Sequence, residues 1–159
     1  MESNLAKLKK EYSKLEKKFS LPSFETMNSD FDIEKIERET DFLEREIRRT
    51  MSEKIAGTLR FVELMLSPSQ APFFILLILK NFEENTKKNI ERLYKELSSI
   101  EIESVILDLD YDQKKEIEFI KNTYKKWQKI KKELKELGDA ISKAWKDASD
   151  KKQSKDYFG

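Results

Sequence analysis

The sequence contains no cysteine and no histidine, and each absence excludes a class of chemistry. Without cysteine the chain has no disulfide, no thiolate nucleophile and no sulfur ligand for a metal. Without histidine it lacks the base of a catalytic triad, and also the Glu-x-x-His pairs that hold two iron or manganese ions inside helical bundles. We therefore expect no metal, no cofactor and no catalytic residues, and the composition favours a protein that is not an enzyme.

Glycine and proline are also scarce, at three residues each. Strand-rich folds need a turn residue about every 8–12 positions, and this chain does not provide them. Long helices joined by few breaks are the remaining solution, so the composition predicts an all-α fold. Pro22, Pro68 and Pro72 mark breaks between helices, because proline disfavours helical geometry in the residue before it.

Charge of one sign is not in excess. Charged residues make up 40% of the chain, yet 32 basic and 31 acidic side chains leave a net charge of only +1. A dedicated nucleic-acid binder carries a clear basic excess, so the balance argues against that class. Lysine, glutamate and isoleucine dominate while glutamine is scarce, a composition common in proteins from organisms that live at high temperature.

No segment has the pattern of a secretory signal or of a membrane span. Residues 1–18 are charged throughout and lack the apolar centre of a signal peptide. The apolar run Ala71–Leu79 is far shorter than the roughly 20 residues that a membrane helix needs. We therefore expect a soluble cytoplasmic protein with no membrane partner.

Apolar residues recur at steps of three and four along most of the chain, which is the spacing of a buried helical stripe. This spacing predicts a first helix that ends near Phe19, a loop over Ser20–Ser29, helices over Phe31–Leu66 and Pro72–Ser99, and a last helix from Asp110 or Asp112 to about Ala148. Together they predict an up-and-down four-helix bundle, with one short and three long helices and coiled-coil-like seams. The bundle is predicted to be a single domain over residues 1–148, followed by a flexible tail over residues 149–159.

Residues 100–110 fit the helical pattern poorly. Ile100, Ile102 and Ser104 alternate with glutamates, which is typical of a strand. No second strand is available to pair with it, so an extended or partly helical connection is the prediction.

Three aspartates near the start of the last helix resemble the first three ligands of a calcium loop: Asp108, Asp110 and Asp112. Such a loop needs glycine at its sixth position and glutamate at its twelfth, where this chain has Gln113 and Phe119. Helix capping explains the aspartates better, and no metal site is predicted here.

Five of the six arginines lie in the predicted second helix. Four of them share its outer face with a phenylalanine, and we call this set the arginine stripe: Arg38, Phe42, Arg45, Arg49 and Arg60. Ion pairs within the helix, such as Asp41 with Arg45, would explain some of these arginines, but lysine would serve as well and is used almost everywhere else. Because the planar guanidinium suits interfaces, the stripe is the predicted surface for association with a second copy or another helical protein.

An anion or nucleic-acid binding module is the alternative hypothesis. It would use the arginine stripe together with the lysine-rich part of the last helix, Lys121–Lys135. The aromatic residues there, Tyr124 and Trp127, fall on the apolar seam, and the lysines spread around the helix, so a solvated face is favoured. The sequence alone does not identify the biochemical role.

Overall fold

The computed structural model describes residues 1–37 and 39–158, with side-chain surroundings as far as Lys151. This part of the chain is 85% helical and contains no strand, so the all-α prediction is confirmed. It holds six α-helices, and the predicted count of four is wrong: α1 Asn4–Phe19, α2 Phe24–Phe31, α3 Leu43–Leu66, α4 Phe73–Lys80, α5 Glu84–Leu109 and α6 Gln113–Phe158. Two 3-10 turns cover Ile33–Lys35 and Pro68–Gln70.

The predicted helix Phe31–Leu66 is divided, because α2 ends at Phe31 and α3 begins only at Leu43. Asp32 adopts a left-handed conformation with φ 55°, which stops α2. The side chain of Asn28 then accepts a hydrogen bond from the backbone N–H of Glu34 (2.9 Å) and holds the turn. The predicted loop over Ser20–Ser29 is also wrong in part, since Ser23 caps the start of α2.

The predicted helix Pro72–Ser99 is likewise two helices, α4 and α5. The side chain of Asn81 donates to the carbonyl of Leu77 (2.9 Å) and caps the end of α4 without any proline or glycine. At its other end α5 continues through residues 100–109, where an extended or partly helical connection was predicted. Ile100 and Leu107 are buried on its inner face at helical spacing, which explains why the segment is helical.

The chain forms two compact units. Unit 1 comprises Met1–Gly57 and Ser99–Lys125, and unit 2 comprises Thr58–Ser98 and Lys126–Gly159. In unit 1 the core includes Tyr12, whose hydroxyl donates to the carbonyl of Pro22 (2.6 Å) and whose ring meets Phe24 edge-on. The other fully enclosed apolar side chains of unit 1 include Met27, Ile33, Ile47, Met51, Ile55, Ile100, Phe119 and Ile120.

Unit 2 has its own apolar core, which includes Val62, Leu97, Ile130 and the buried Trp127. Within this unit α4 lies alongside α6. Phe74 meets Trp145 edge-on with ring centroids 6.5 Å apart, and Lys151 Nζ donates to Asn81 Oδ1 (2.9 Å). Trp145 is nevertheless 46% exposed.

Among the described helices none is both long enough and apolar enough to cross a membrane.

Candidate contact surface at the end of α5

A buried arginine lies at the centre of unit 1. Arg48 has no exposed surface, although it carries a charge and is among the largest side chains in the described core. It follows the core residue Ile47 on α3, so the row of residues beside the apolar seam also faces inward: Glu44, Arg48 and Ser52. A charge in this position is tolerated only if it is paired and hydrogen-bonded.

All five N–H donors of Arg48 have acceptors within unit 1. Nε and Nη2 bind the two oxygens of Glu116 (2.7 and 3.2 Å), and Nη2 also binds Asp108 Oδ1 (2.7 Å). Nη1 donates to the backbone carbonyl and the hydroxyl of Ser104 (3.1 and 3.0 Å). We call Arg48, Ser104, Asp108 and Glu116 the Arg48 network. It links α3, α5 and α6.

The network shifts the acidity of its members. Burial lowers the pKa of Arg48, but the hydrogen bonds to Glu116 and Asp108 outweigh burial and leave that pKa raised. The hydrogen bond from Arg48 holds the pKa of Asp108 below its ordinary value, with a further contribution from Arg49. Arg48 and Asp108 are therefore both charged at neutral pH.

A second polar contact involves Glu44, which lies one turn before Arg48 on α3. Glu44 is only 2% exposed and accepts a hydrogen bond from the hydroxyl of Tyr111. Burial, together with this bond, raises the pKa of the Tyr111 hydroxyl. Phe42 packs edge-on against the ring of Tyr111 with centroids 4.5 Å apart, yet half of Phe42 remains exposed.

Two members of the arginine stripe reach the end of α5. Arg45 Nη2 donates to the backbone carbonyl of Asp108 (3.1 Å), and its guanidinium lies over the Tyr111 ring (6.0 Å). Arg49 Nε donates to Asp108 Oδ1 (3.2 Å), and its Nη1 binds Glu46 (3.3 Å). The structure therefore brings Phe42, Arg45 and Arg49 together beside α5.

The other two members of the stripe do not join this group. Arg38 lies outside the described residues, so its place in the stripe is untested. Arg60 is exposed on α3 and belongs to unit 2. The use of the stripe as a contact surface stays a prediction.

An apolar face of α5 is exposed directly beside these arginines. Ile102, Val105, Ile106 and Leu109 are 61%, 56%, 59% and 81% exposed. Their spacing of three, four and seven residues puts them on one side of the helix, and we call this set the α5 stripe. Single exposed apolar residues are common, but a contiguous set on one helix face marks an interaction site.

The two edges of the α5 stripe differ in charge. On one edge lie Glu101 and Asp108, seven residues apart, with Arg45 and Arg49 bound to Asp108. On the other edge Glu103 and Asp110 are exposed. We call these the arginine edge and the acidic edge.

A groove of about 540 Å³ lies at the start of α1. Charged residues of both signs line it, and Lys7 Nζ binds Glu39 Oε1 across it (2.8 Å). The described residues contain no group of three acidic, cysteine or histidine side chains that could hold a metal ion. The groove therefore offers no arrangement that points to one ligand.

This chain matches no known protein family, and no curated protein or solved structure is significantly similar to it.

Sequence interpretation missed both the buried Arg48 and the exposed α5 stripe. The sequence prediction gave Arg48 no role of its own, although Glu44, Arg48 and Ser52 follow one another at helical spacing beside the seam. The α5 stripe was assigned to a connection. Two interleaved apolar rows within residues 100–109, one buried and one exposed, were the available signal.

Proposed function

We propose that the protein acts by associating with another helical protein, with a second copy of itself as the favoured partner, through the α5 stripe. The observation that carries this proposal is the exposure of four large apolar side chains on one face of a helix. Phe42, Arg45 and Arg49 at the edge of the stripe would contribute further contacts. Phenylalanine and arginine are both enriched in interfaces.

The size of the stripe supports weak association rather than a permanent complex. Complete burial of an isoleucine, leucine or valine side chain contributes about 1.5–3 kcal/mol. Each stripe side chain is partly covered already, so burial of the remainder contributes roughly 1 kcal/mol, or on the order of 8 kcal/mol for two copies. Association costs about 4–15 kcal/mol in lost freedom of motion, so we expect a dimer that depends on concentration.

The Arg48 network supports the proposal because it fixes the end of α5. Hydrogen bonds from Arg48 hold Ser104 and Asp108, which lie on α5 between the stripe residues in sequence. A surface that is already in its bound geometry loses less conformational entropy on binding.

Substitution of two stripe residues by glutamate tests the proposal. Ile102→Glu with Ile106→Glu should keep the protein monomeric at concentrations where the unchanged chain forms dimers by light scattering. Circular dichroism should show the same helix content for both. Leu5→Glu is the matched control, because Leu5 is 41% exposed on α1 and lies outside the stripe. If the protein without substitutions remains monomeric at millimolar concentration, self-association is excluded.

Binding of an anion or of nucleic acid is the alternative. The exposed lysines of α6, among them Lys129 and Lys132, support it. The carboxylate of Asp108 beside the arginines, and those of Glu103 and Asp110 on the other edge of the α5 stripe, disfavour it, because carboxylates repel phosphate groups. Nucleic-acid binding at low salt that falls steeply with added salt, and falls further on Arg45→Glu with Arg49→Glu, would favour this alternative. A cytoplasmic location belongs to either proposal, supported by the absence of cysteine.

A further inference from the structure

We infer that the α5 stripe pairs with the same stripe of a second copy, with the two α5 ends parallel about a twofold axis. This inference rests on the proposed function, since it names the partner and the orientation at the same surface. It is carried by the unequal charges of the two edges.

The two edges lie at matching angles from the centre of the stripe. At 100° per residue, Asp108 lies about 110° to one side of that centre and Glu103 about 110° to the other. Asp110 is seven residues after Glu103 and extends the same edge just beyond the end of the helix. Arg45 and Arg49 are bound to Asp108 and therefore belong to the opposite edge.

Symmetry then decides which edges meet. When two identical helices pack face to face in parallel about a twofold axis, the left edge of each meets the right edge of the other. The acidic edge of each copy then faces the arginine edge of the other, where Arg45 and Arg49 offset the charges of Glu101 and Asp108. This contact occurs twice in the dimer. When the two helices pack antiparallel, each edge meets the equivalent edge of the second copy. Glu103 and Asp110 then face Glu103 and Asp110 of that copy. Like charges disfavour that arrangement.

Arg49 has donors left for such a contact. Its Nε binds Asp108 and its Nη1 binds Glu46, which uses two of five N–H donors, and the residue is half-exposed. The exposed carboxylates of Glu103 and Asp110 supply acceptors. In the parallel pair Ile102, Ile106 and Leu109 each meet the same residue of the second copy, as core positions of a parallel coiled coil do, with glutamate and aspartate on the flank.

Cysteine cross-linking tests the orientation, because the chain has no cysteine of its own. Leu109→Cys alone should give a disulfide-linked dimer under mild oxidation if equal positions meet. In an antiparallel pair the two residues 109 would be about 10 Å apart along the axis, beyond the roughly 4.4–6.8 Å that a disulfide allows between Cα atoms. A mixture of Ile102→Cys and Leu109→Cys would then cross-link instead. Glu118→Cys, exposed on α6, is the control and should stay monomeric.

Charge reversal tests the edges independently. Glu103→Lys with Asp110→Lys, and separately Arg45→Glu with Arg49→Glu, should each weaken dimerisation about tenfold or more. The chain with all four substitutions should regain dimerisation, because opposite charges face each other again in the parallel pair only. Should the arginine variant lose helix content, Arg45→Gln with Arg49→Gln replaces it, with a smaller loss expected.

The outcomes separate this inference from the proposed function. Loss of dimers on Ile102→Glu with Ile106→Glu, together with no cross-link at Leu109→Cys and no recovery in the fourfold variant, would overturn the parallel arrangement and leave the proposed function standing. Monomeric behaviour of the unchanged chain would overturn both. A Leu109→Cys dimer with recovery in the fourfold variant establishes the parallel pair.

Discussion

Arg48 and Glu116 form a two-bond ion pair in which neither side chain has exposed surface. Such a pair is weak evidence for stability, because removing two charges from water costs free energy that their attraction must offset. The hydrogen bonds of the pair are directional, however, because a planar guanidinium can donate to both carboxylate oxygens in only one relative orientation. We interpret the pair as a device that fixes the level at which α3 meets α6 within unit 1.

Removal of one partner of this pair should cost far more stability than removal of both. Glu116→Leu leaves the buried guanidinium of Arg48 without its main counter-charge and should lower the free energy of unfolding by about 3–5 kcal/mol. Arg48→Met combined with Glu116→Leu should cost much less, on the order of 1 kcal/mol or less. Urea unfolding followed by circular dichroism measures both. Equal losses in the two variants would show that packing, not charge, dominates this position.

The stability of the protein should fall in acid in a way that depends on Asp108. Its folded-state pKa lies below the ordinary value of 3.8, so its stabilising contribution is present above that value and is lost as the pH falls through the folded pKa. Because the carboxylate is half-exposed, the contribution is on the order of 0.5–1 kcal/mol. Asp108→Asn should therefore show a shallower loss of unfolding free energy below about pH 4 than the unchanged chain. Parallel curves would contradict this assignment.

Two glycines within helices should be open to improvement. A Cβ atom placed on Gly57 in α3 or on Gly138 in α6 would meet nothing within 4 Å, and neither residue has a positive φ. Alanine at either position should raise the free energy of unfolding by about 1 kcal/mol, because glycine is the more costly residue inside a helix. Thermal and urea unfolding of each variant measure the gain. A loss at either position would show that the helix bends there for a reason.

The start of α6 depends on one of two neighbouring aspartates. Asp112 Oδ1 accepts a hydrogen bond from the backbone N–H of Lys115 (3.1 Å), which is the contact of an N-terminal cap. Asp112→Ala should cost about 1 kcal/mol of unfolding free energy. Asp110→Ala is the matched control and should cost less, since the cap remains. Both are best measured at low protein concentration, where association does not add to stability.

Prediction from sequence worked where burial follows one regular stripe. Of the apolar stripe expected in α1, Leu8 and Tyr12 are buried while Leu5 in the first turn is 41% exposed, and the helix ends at Phe19 as predicted. In α3 the seam from Ile47 to Met65 is buried in the same order. Each of these helices has one continuous apolar row, so spacing and burial carry the same information.

The division of the predicted Phe31–Leu66 helix could not be read from spacing. Ile33 has no exposed surface although it lies in a 3-10 turn, so a buried turn residue continued the apolar rhythm of the helix beyond its end. The left-handed backbone conformation of Asp32 separates α2 from α3. Aspartate can adopt this conformation but does so only occasionally, so the residue type does not predict it. Spacing records which residues are buried and does not record which backbone conformation buries them.

The candidate surface was found in part, because residue type and residue position were separate clues. The preference for arginine over lysine in α3 led to Arg45, Arg49 and Phe42, which the structure brings together beside α5. The same preference did not separate Arg48 from its neighbours, since its burial depends on Glu116, which is 68 residues away along the chain. Residue type alone does not reveal long-range pairing of that kind.

Both tryptophans, Trp127 and Trp145, belong to unit 2. Intrinsic tryptophan fluorescence of this protein therefore originates in one unit alone, whereas far-ultraviolet circular dichroism reports the helices of both. Coincident transitions by the two signals would indicate that residues 1–148 unfold as the single domain that the sequence predicts, and separate transitions would indicate two. The positions of the two tryptophans therefore allow fluorescence of the protein without substitutions to report whether its two units unfold cooperatively.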